Sequence, residues 1–299
     1  MTGAEPSKGS YAVEFQNVSL SFDDQPALID VSFKLREGGM IILTGESGSG
    51  KSVLMRLAMG LEKPDAGQIL INGRDISSLD ESDLLAIRGG LMGMVFQEDS
   101  LFTGLSVYDN VAFRLAEHGW SETDIDQAVN ELLRFVGLEG EQEKLPEELS
   151  GGMKRRLEIA RALVGWPSIM LFDEPTMSLD PIVAFQVLDL VIRARDINHI
   201  SSIYVTKKPM EIPYLAGYVA RGSDKGIVVV EASAEELPDT TIIVLEKGRI
   251  VVIGSLTDFE SSDLPSVRRM ITLDPHHDAL DVYFRDPWDK SRVALEKLL

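Results

Sequence analysis

The sequence predicts an α/β fold built on a parallel sheet, and three observations support this prediction. Residues 40–43 (MIIL) form a short apolar run that indicates a buried strand, and residues 169–172 (IMLF) form a second one. Residues 51–61 carry apolar side chains at helical spacing. Glycines separate the first run from this segment, so the local order is strand, loop and helix. In parallel α/β sheets, binding sites lie at the carboxyl ends of the strands.

The composition is that of a globular protein, and it excludes several classes of function. The chain has 299 residues, of which 44% are hydrophobic and 26% are charged, enough for one large domain or two smaller ones. Its net charge of -19 repels phosphate groups, so we expect neither a nucleic-acid surface nor direct binding to anionic lipid. The absence of cysteine excludes a disulfide framework, a thiolate metal site and a cysteine nucleophile.

We expect no targeting signal and no direct insertion into a membrane. No run reaches the roughly 18 to 20 apolar residues that span a bilayer, and the start MTGAEPSKGS lacks the apolar core of a signal peptide. These features predict a cytosolic protein. If it works at a membrane, another protein should hold it there.

The loop after the first strand matches the phosphate-binding pattern G-x-x-x-x-G-K-[ST]. Its glycines let backbone N–H groups turn toward an anion at the positive end of the following helix. Lys51 is placed to reach the β- and γ-phosphates of ATP, and the Ser52 hydroxyl is a ligand for Mg²⁺. The alternative is a glycine-rich turn that binds nothing. We predict that the whole loop contacts the nucleotide: Gly45, Glu46, Ser47, Gly48, Ser49, Gly50, Lys51 and Ser52.

Two carboxylates follow the second predicted strand, in the segment SIMLFDEPTMSLD. If both strands belong to one parallel sheet, Asp173 lies beside the phosphate loop and can hold Mg²⁺. Glu174 then faces the γ-phosphate, where a carboxylate can act as general base on the attacking water. Taken alone, an acidic pair at this place could instead be a solvated helix cap.

The segment ELSGGMKRRLEIARAL, residues 148–163, resembles the signature of the ABC-transporter nucleotide-binding domain, with Met153 in place of the commoner glutamine. In that family the signature begins a helix that faces the ATP bound to the opposite protomer. Ser150 is a suitable N-cap, and Gly151 and Gly152 permit close approach of a phosphate to the helix start. Without the resemblance, this stretch is only a flexible linker before a basic helix.

Other positions match landmarks of the same family. Phe22 resembles the aromatic residue that stacks on adenine, although a single aromatic after a strand is often a core residue. Gln97 resembles the Q-loop glutamine, which senses Mg²⁺ and water and leads into the segment that touches the membrane partner. Asp180 resembles the D-loop aspartate that couples the two sites of a dimer, and Ser178 stands where glycine is usual. The resemblance implies an ABC-type P-loop NTPase fold that uses ATP and Mg²⁺.

A narrower resemblance lies in GMVFQEDSLFTGLSVYDNVAFRLAEH, residues 93–118, together with ELSGGMKRR and SSDLPSVRRMITLD. These segments are similar to the ATPase subunits of Mla-type lipid-trafficking systems, which work with a membrane permease and an MCE-domain protein. Several importer ATPases share parts of the LFTGLSVYDNV pattern. The narrower resemblance implies phospholipid cargo and a location on the cytoplasmic face of the inner membrane.

One position departs from the family. The strand predicted at residues 200–206 should end in a histidine that contacts the γ-phosphate, but Lys207 stands there. An ammonium is a flexible, strongly hydrated donor, unlike a planar imidazole that titrates near neutrality. Three interpretations remain open: Lys207 holds the γ-phosphate, or ATP binds with little turnover, or Lys207 points to solvent while Glu174 and Gln97 run the site. His199 lies at the wrong end of the strand to replace it.

The predicted organisation is one ABC ATPase domain at residues 11–256 and a carboxyl-terminal extension at 257–299. Residues 11–38 predict an antiparallel edge sheet, and a mainly helical subdomain spans about 98–160. Residues 220–239 are an insert, either an enlarged edge of the sheet or a docking or regulatory flap, before a hairpin at 240–254. The extension ends in an amphipathic-looking stretch.

We therefore predict an ATP-hydrolysing subunit of a transport complex, in which two copies of the chain sandwich ATP. Ser150, Gly151 and Gly152 of one copy would complete the site of the other, and the pair would drive a membrane permease. Two other functions remain open. One is an ATP-dependent switch with little hydrolysis, and the other is a soluble ABC protein of DNA repair or translation.

Overall fold

The computed structural model describes residues 10–98, 100–223 and 226–272, and it confirms the predicted α/β fold with a parallel sheet. The strands, in chain order, are β1 Tyr11–Phe22, β2 Gln25–Arg36, β3 Met40–Thr44, β4 Ala66–Ile71, β5 Arg74–Asp75, β6 Met92–Val95, β7 Ile169–Asp173, β8 Ser201–Val205, β9 Tyr218–Ser223, β10 Gly226–Glu231, β11 Thr240–Glu246 and β12 Arg249–Gly254.

The helices follow the strands closely, so most connections are short. Residues 146–148 add one 3₁₀ turn shortly before the helix that begins at the SGG segment. The α-helices are α1 Lys51–Ala58, α2 Glu81–Leu91, α3 Val107–Glu117, α4 Glu122–Phe135, α5 Gly151–Leu163, α6 Pro181–Asn198, α7 Glu211–Gly217, α8 Leu256–Glu260 and α9 Pro265–Thr272.

The central sheet has six strands in the order β12-β11-β3-β8-β7-β6. All neighbours are parallel except β12, which pairs antiparallel with β11 at the edge. The loops that follow β3, β6, β7 and β8 therefore leave the sheet at the same end, where the carboxyl ends of these strands lie. This arrangement brings the phosphate loop, the Gln97 loop, the acidic pair and the Lys207 loop to the same end of the sheet, although they are far apart in sequence.

The two faces of the sheet bury two separate apolar cores. Met40 and Ile42 point to a core shared with the helices α3 to α6, while Ile41 and Leu43 point to a core under the antiparallel sheet and α1. The antiparallel sheet has the order β2-β1-β4-β5, and β1 and β2 form its long hairpin. Every residue of β3, β7 and β8 is buried, which is why these strands appear in the sequence as continuous apolar runs.

The insert at residues 220–239 does not enlarge the edge of the central sheet, which was one of its two predicted forms. β9 and β10 form a separate two-stranded antiparallel sheet, not an enlarged edge of the central sheet. The reason is that β9 follows α7 on the helical face, where the insert packs against α6 and where Ile227 and Val229 reach the main core. The hairpin predicted after the insert is confirmed, and its first strand β11 pairs parallel with β3.

The carboxyl-terminal extension begins with α8 and α9, which pack back onto the domain through the buried side chains of Phe259 and Val267. α9 approaches the phosphate loop, because Arg269 forms an ion pair with Glu46 at 3.3 Å. The amphipathic stretch predicted at the end of the chain lies outside the described residues. In the part that the structure describes, no helix is both long and apolar enough to cross a membrane.

Candidate nucleotide site

The phosphate loop joins β3 to α1, and two of its three glycines, Gly45 and Gly50, have no room for a side chain. A Cβ atom on Gly45 would lie 2.2 Å from the carbonyl oxygen of Leu245, and Gly45 has a φ of +145°. The ammonium of Lys51 donates hydrogen bonds to the carbonyl oxygens of Gly45 (2.7 Å) and Glu46 (2.9 Å). Burial lowers the pKa of Lys51, and the nearby ammonium of Lys207 lowers it further. The loop thus encloses its own cation.

Asp173 ends β7 beside the first residues of α1, as the sequence predicts for a Mg²⁺ ligand. The Ser52 hydroxyl lies near its carboxylate, whose Oδ1 is buried and has no hydrogen-bond partner among the described residues. Burial raises the pKa of Asp173, and the neighbouring charge of Glu174 raises it further. A buried carboxylate oxygen without a partner, next to a serine hydroxyl, fits the oxygen ligands that Mg²⁺ prefers.

Lys207 is turned into the site and forms an ion pair with the residue predicted to be the general base. Its Nζ lies 2.7 Å from Oε1 of Glu174, whose side chain is 9% exposed, while that of Lys207 is 37% exposed. The interpretation in which Lys207 points to solvent is therefore not supported. Glu174 has a φ of +49°, an uncommon backbone conformation for this residue type, and its N–H donates to the carbonyl oxygen of Val205 at 3.1 Å.

Gln97 lies at the end of β6 and reaches the same cleft. Its Nε2 is 3.2 Å from the sulfur of Met177, in the loop that follows Glu174. The backbone around it is held by the helix α5, because Arg155 donates to the carbonyl oxygens of Phe96 (2.8 Å) and Gln97 (3.3 Å). The position of the glutamine therefore depends on the helix that begins at the SGG segment.

The SGG segment begins α5 as predicted. The Ser150 hydroxyl accepts a hydrogen bond from the Met153 N–H at 3.3 Å, which is an N-cap. Gly152 lies against α6, since a Cβ there would be 2.5 Å from a methyl group of Val183. Asp180 is the N-cap of α6 and accepts from the Val183 N–H at 3.1 Å. Ser178 has a φ of +62°, a left-handed conformation that explains why glycine is usual there.

The cleft above the phosphate loop brings together eight of the seventeen predicted site residues. It is lined by Ala27, Ser47, Gly48, Gly50, Lys51, Ser52, Val53, Gln97, Glu174 and Lys207. A neighbouring cleft is lined by Gln97, Glu98, Gly151, Arg155, Met177, Ser178 and Leu179. Ser150, Gly152 and Asp180 lie at neither lining, and half-exposed Phe22 ends β1 outside the first cleft.

Two residues near the site, Ala27 and Glu211, were not predicted from the sequence. Ala27 of β2 lines the cleft, and its carbonyl oxygen would be 2.7 Å from a Cβ on Gly50. Glu211 is a buried carboxylate behind the Lys207 loop. The available signal for Glu211 was an acidic residue inside an otherwise apolar segment, MEIPYLAG. The close approach of Ala27 left no signal in the sequence.

Comparison with known proteins agrees with this geometry. A family model described as ABC transporter matches residues 28–177, which is half of the chain. The chain belongs to the ABC transporter family. The methionine import ATP-binding protein MetN of Leifsonia xyli is 35% identical over 263 residues, which cover 87% of this chain and 70% of that protein. MetN 1 of Staphylococcus aureus is 38% identical over 237 residues, or 77% of this chain and 69% of that protein.

Two further matches extend the comparison. The protein TRIGALACTOSYLDIACYLGLYCEROL 3 of Arabidopsis thaliana is 35% identical over 268 residues, which cover 87% of this chain and 73% of that protein. Among solved structures, the dimeric post-hydrolysis state of the ATP-binding cassette MJ0796, bound to ADP and Pi, has a TM-score of 0.68 and 26% identity. That match covers 82% of this chain and 98% of that one.

As a member of the ABC transporter family, the chain is an ATPase that uses ATP with Mg²⁺. This confirms the broader part of the predicted resemblance and the predicted cofactors. The narrower resemblance, to Mla-type lipid systems, is not confirmed, because several of the similar relatives are named for methionine import. The cargo and the partners are therefore matters for a proposal.

Proposed function

We propose that this ABC ATPase hydrolyses ATP with Glu174 as general base and Lys207 in place of the usual histidine, and that it drives a membrane permease. The observation that carries the proposal is the 2.7 Å ion pair between Lys207 and Glu174 at the lining of the phosphate cleft. A site without a role in hydrolysis has no need of a carboxylate held there by a cation.

The residues around the cleft divide the binding of nucleotide among them. The loop from Gly45 to Ser52 would hold the phosphates, with Lys51 leaving its carbonyl partners to meet them. Ser52, Asp173 and Gln97 would hold Mg²⁺, which when bound neutralises charge on the phosphate oxygens. Phe22, half-exposed beside the cleft, would supply an apolar face for adenine.

Lys207 has two tasks in this proposal. It holds the carboxylate of Glu174 in one orientation, ready to accept a proton from water. It also places a positive charge at the cleft, where the charge can stabilise the phosphoryl group in the transition state. The lysine ammonium has three N–H donors, so it can donate to the Glu174 carboxylate and to a phosphate oxygen at the same time. A neutral histidine has one donor nitrogen and one acceptor nitrogen, so its role depends on its tautomer.

We further propose a homodimer in which each copy completes the other's site. Ser150, Gly151 and Gly152 form the exposed start of α5, where free N–H groups and the helix dipole favour a phosphate. Asp180, at the start of α6, would couple the two sites. Two similar solved structures of ATP-binding cassettes are dimeric, which supports this arrangement.

The permease would bind the surface next to the Gln97 loop. Phe96, beside Gln97 in the chain, is exposed, and so are Phe102 and Phe113, whose ring centroids lie 4.9 Å apart. Arg114 links α3 to the end of α2 and the start of β6, because it donates hydrogen bonds to the carbonyl oxygens of Gly89 (2.7 Å) and Met92 (3.1 Å). Held in this way, the chain would work on the cytoplasmic face of the inner membrane through its permease, and its net charge of -19 disfavours direct contact with anionic lipid.

Phospholipid is the proposed cargo, with an MCE-domain protein as a third component. Two observations support this cargo. Residues 93–118 resemble the Mla-type ATPases, and a relative at 35% identity, TRIGALACTOSYLDIACYLGLYCEROL 3, is named after a galactolipid. Methionine is the second candidate, because relatives at 35% and 38% identity are named for its import.

Purification of the tagged full-length chain from detergent-solubilised membranes tests the proposal. We expect an integral membrane protein to co-purify and the complex to hydrolyse ATP, with Glu174→Gln abolishing hydrolysis. In reconstituted vesicles, ATP-dependent transfer of fluorescent phospholipid supports the lipid cargo, whereas uptake of labelled methionine without lipid transfer refutes it. A complex that turns over no faster than its Glu174→Gln variant favours the ATP-dependent switch instead.

A further inference from the structure

A buried carboxylate lies directly behind the Lys207–Glu174 pair and is not used by the proposed chemistry. Glu211, the first residue of α7, is 2% exposed. Burial raises the pKa of its carboxyl group, because it disfavours the charged form. A carboxylate in such a place is tolerated when hydrogen-bond donors satisfy it, and Glu211 has several.

The donors come from two different loops and one strand. Oε2 of Glu211 accepts hydrogen bonds from the hydroxyl groups of Tyr204 (3.0 Å) and Thr206 (2.7 Å), and Oε1 accepts from the hydroxyl of Thr176. Lys208 closes the group, because its Nζ donates to the carbonyl oxygen of Thr176 at 2.8 Å and lies 3.8 Å from Glu211. We call these five residues the Glu211 cluster.

The cluster joins the two loops that carry the ion pair. Thr176 follows Glu174 by two residues, while Thr206 and Lys208 lie on either side of Lys207. The separation of the two loops is therefore fixed by bonds that converge on one carboxylate. This matters more for a lysine than for a histidine, because a four-carbon side chain reaches many positions unless its backbone is held.

We propose that Glu211 is a positioning residue for ATP hydrolysis, which holds the Lys207 loop and the Glu174 loop at the separation that the ion pair requires. The inference rests on the proposed function, in which that pair is catalytic. Glu211 itself is not among the residues that line the phosphate cleft. It acts through Thr176 on one side and through Thr206 and Lys208 on the other. Loss of one of these contacts therefore weakens the alignment of Lys207 without removing any catalytic group.

The test uses Thr176→Val, which removes one hydroxyl and keeps the shape of the side chain, as well as Glu211→Gln. Thr240→Val is the matched control, because the Thr240 hydroxyl is buried without a hydrogen-bond partner in the described structure. Thr240 pairs with Met40, at the opposite end of β3 from the phosphate loop. Each variant is made in the full-length chain, in the membrane complex, with wild-type Lys207 and with Lys207→Met.

With wild-type Lys207, we expect Thr176→Val to lower kcat for ATP about tenfold, the loss of one hydrogen bond to a charged group, while KM stays within about twofold. Glu211→Gln should lower kcat in the same way, and Thr240→Val should leave it unchanged. With Lys207→Met, Thr176→Val should cause no further loss, because there is no ammonium left to position.

Three results would overturn the inference: an equal loss from Thr176→Val in both backgrounds, a rise in KM with kcat intact, or the same loss from Thr240→Val. The proposed function has its own outcome. If Lys207→Met alone keeps wild-type turnover, Lys207 has no catalytic role, and the positioning role of Glu211 is refuted as well. If Lys207→Met is slow while Thr176→Val is not, only the role of Glu211 fails.

Discussion

Replacing Arg155 with methionine should destabilise the protein by about 3–5 kcal/mol, because the change leaves a buried carboxylate without its cation. Arg155 and Glu158 lie one turn apart on α5, 2.6 Å from each other, with side chains that are 7% and 1% exposed. Glu158 also accepts a hydrogen bond from the Ser100 N–H at 2.8 Å. Each partner thus fixes a different point of the loop that contains Gln97.

Thermal unfolding followed by circular dichroism measures the effect. Since the unfolding entropy is about 2 cal/mol/K per residue, each kcal/mol lowers Tm of a chain of this size by about 1.5–2 °C, so Arg155→Met should lower it by about 5–10 °C. Arg134→Met is the matched control, since Arg134 pairs with Glu139 at 3.4 Å on the surface, where both side chains are exposed. An exposed pair contributes less than about 1 kcal/mol, so the control should unfold within a few degrees of wild type.

The double variant Arg155→Met, Glu158→Leu separates stability from function. Replacing both partners of a buried pair with apolar residues is often neutral or stabilising, so most of the lost Tm should return. The attachments to Phe96, Gln97 and Ser100 do not return, and ATP hydrolysis by the permease complex should stay low. The reasoning is refuted if Arg155→Met costs no more than Arg134→Met, or if the double variant is as unstable as the single one.

Two other predictions follow from the phosphate loop and its acidic neighbours. Asp173→Asn should raise Tm of the nucleotide-free protein. Burial and the charge of Glu174 raise the pKa of Asp173, so the native state disfavours the charged carboxylate. The gain in stability from asparagine is therefore absent at a pH where Asp173 is protonated, and it grows as pH rises through the pKa of Asp173. No gain at any pH between 4 and 8 would contradict this. Gly45→Ala should abolish binding of a fluorescent ATP analogue, because its Cβ would lie 2.2 Å from the Leu245 carbonyl oxygen. Gly48→Ala should keep measurable binding, because a Cβ there meets no atom of the described residues within 4 Å. Equal affinities of the two variants would show that this contact does not shape the loop.

The sequence predicts the parts of the site that depend on local pattern. The buried strands β3 and β7 appear as continuous apolar runs because both faces of the sheet are covered. The phosphate loop follows from glycine spacing, and Ser150 and Asp180 are N-caps whose residue types indicate helix starts.

What the sequence does not predict are contacts between distant segments. The direction of Lys207 depends on where the loops after β7 and β8 end, and its partner Glu174 is 33 residues away. The bond from Arg155 to the Gln97 loop spans 58 residues, and the ion pair of Arg269 with Glu46 spans 223. The insert was also ambiguous, because a β-rich run indicates a strand without indicating which strand it pairs with.

The steady-state turnover of the Lys207→Met variant in the purified membrane complex tests the central claim most directly. Methionine has a similar length and no charge, so the variant removes the ammonium that meets Glu174 and little else. Loss of one charge-assisted hydrogen bond predicts a kcat about 10- to 100-fold below wild type, with ATP affinity nearly unchanged and partial recovery in Lys207→His. A Lys207→Met variant that hydrolyses ATP as fast as wild type, while Glu174→Gln is inactive, would show that the lysine has no part in catalysis.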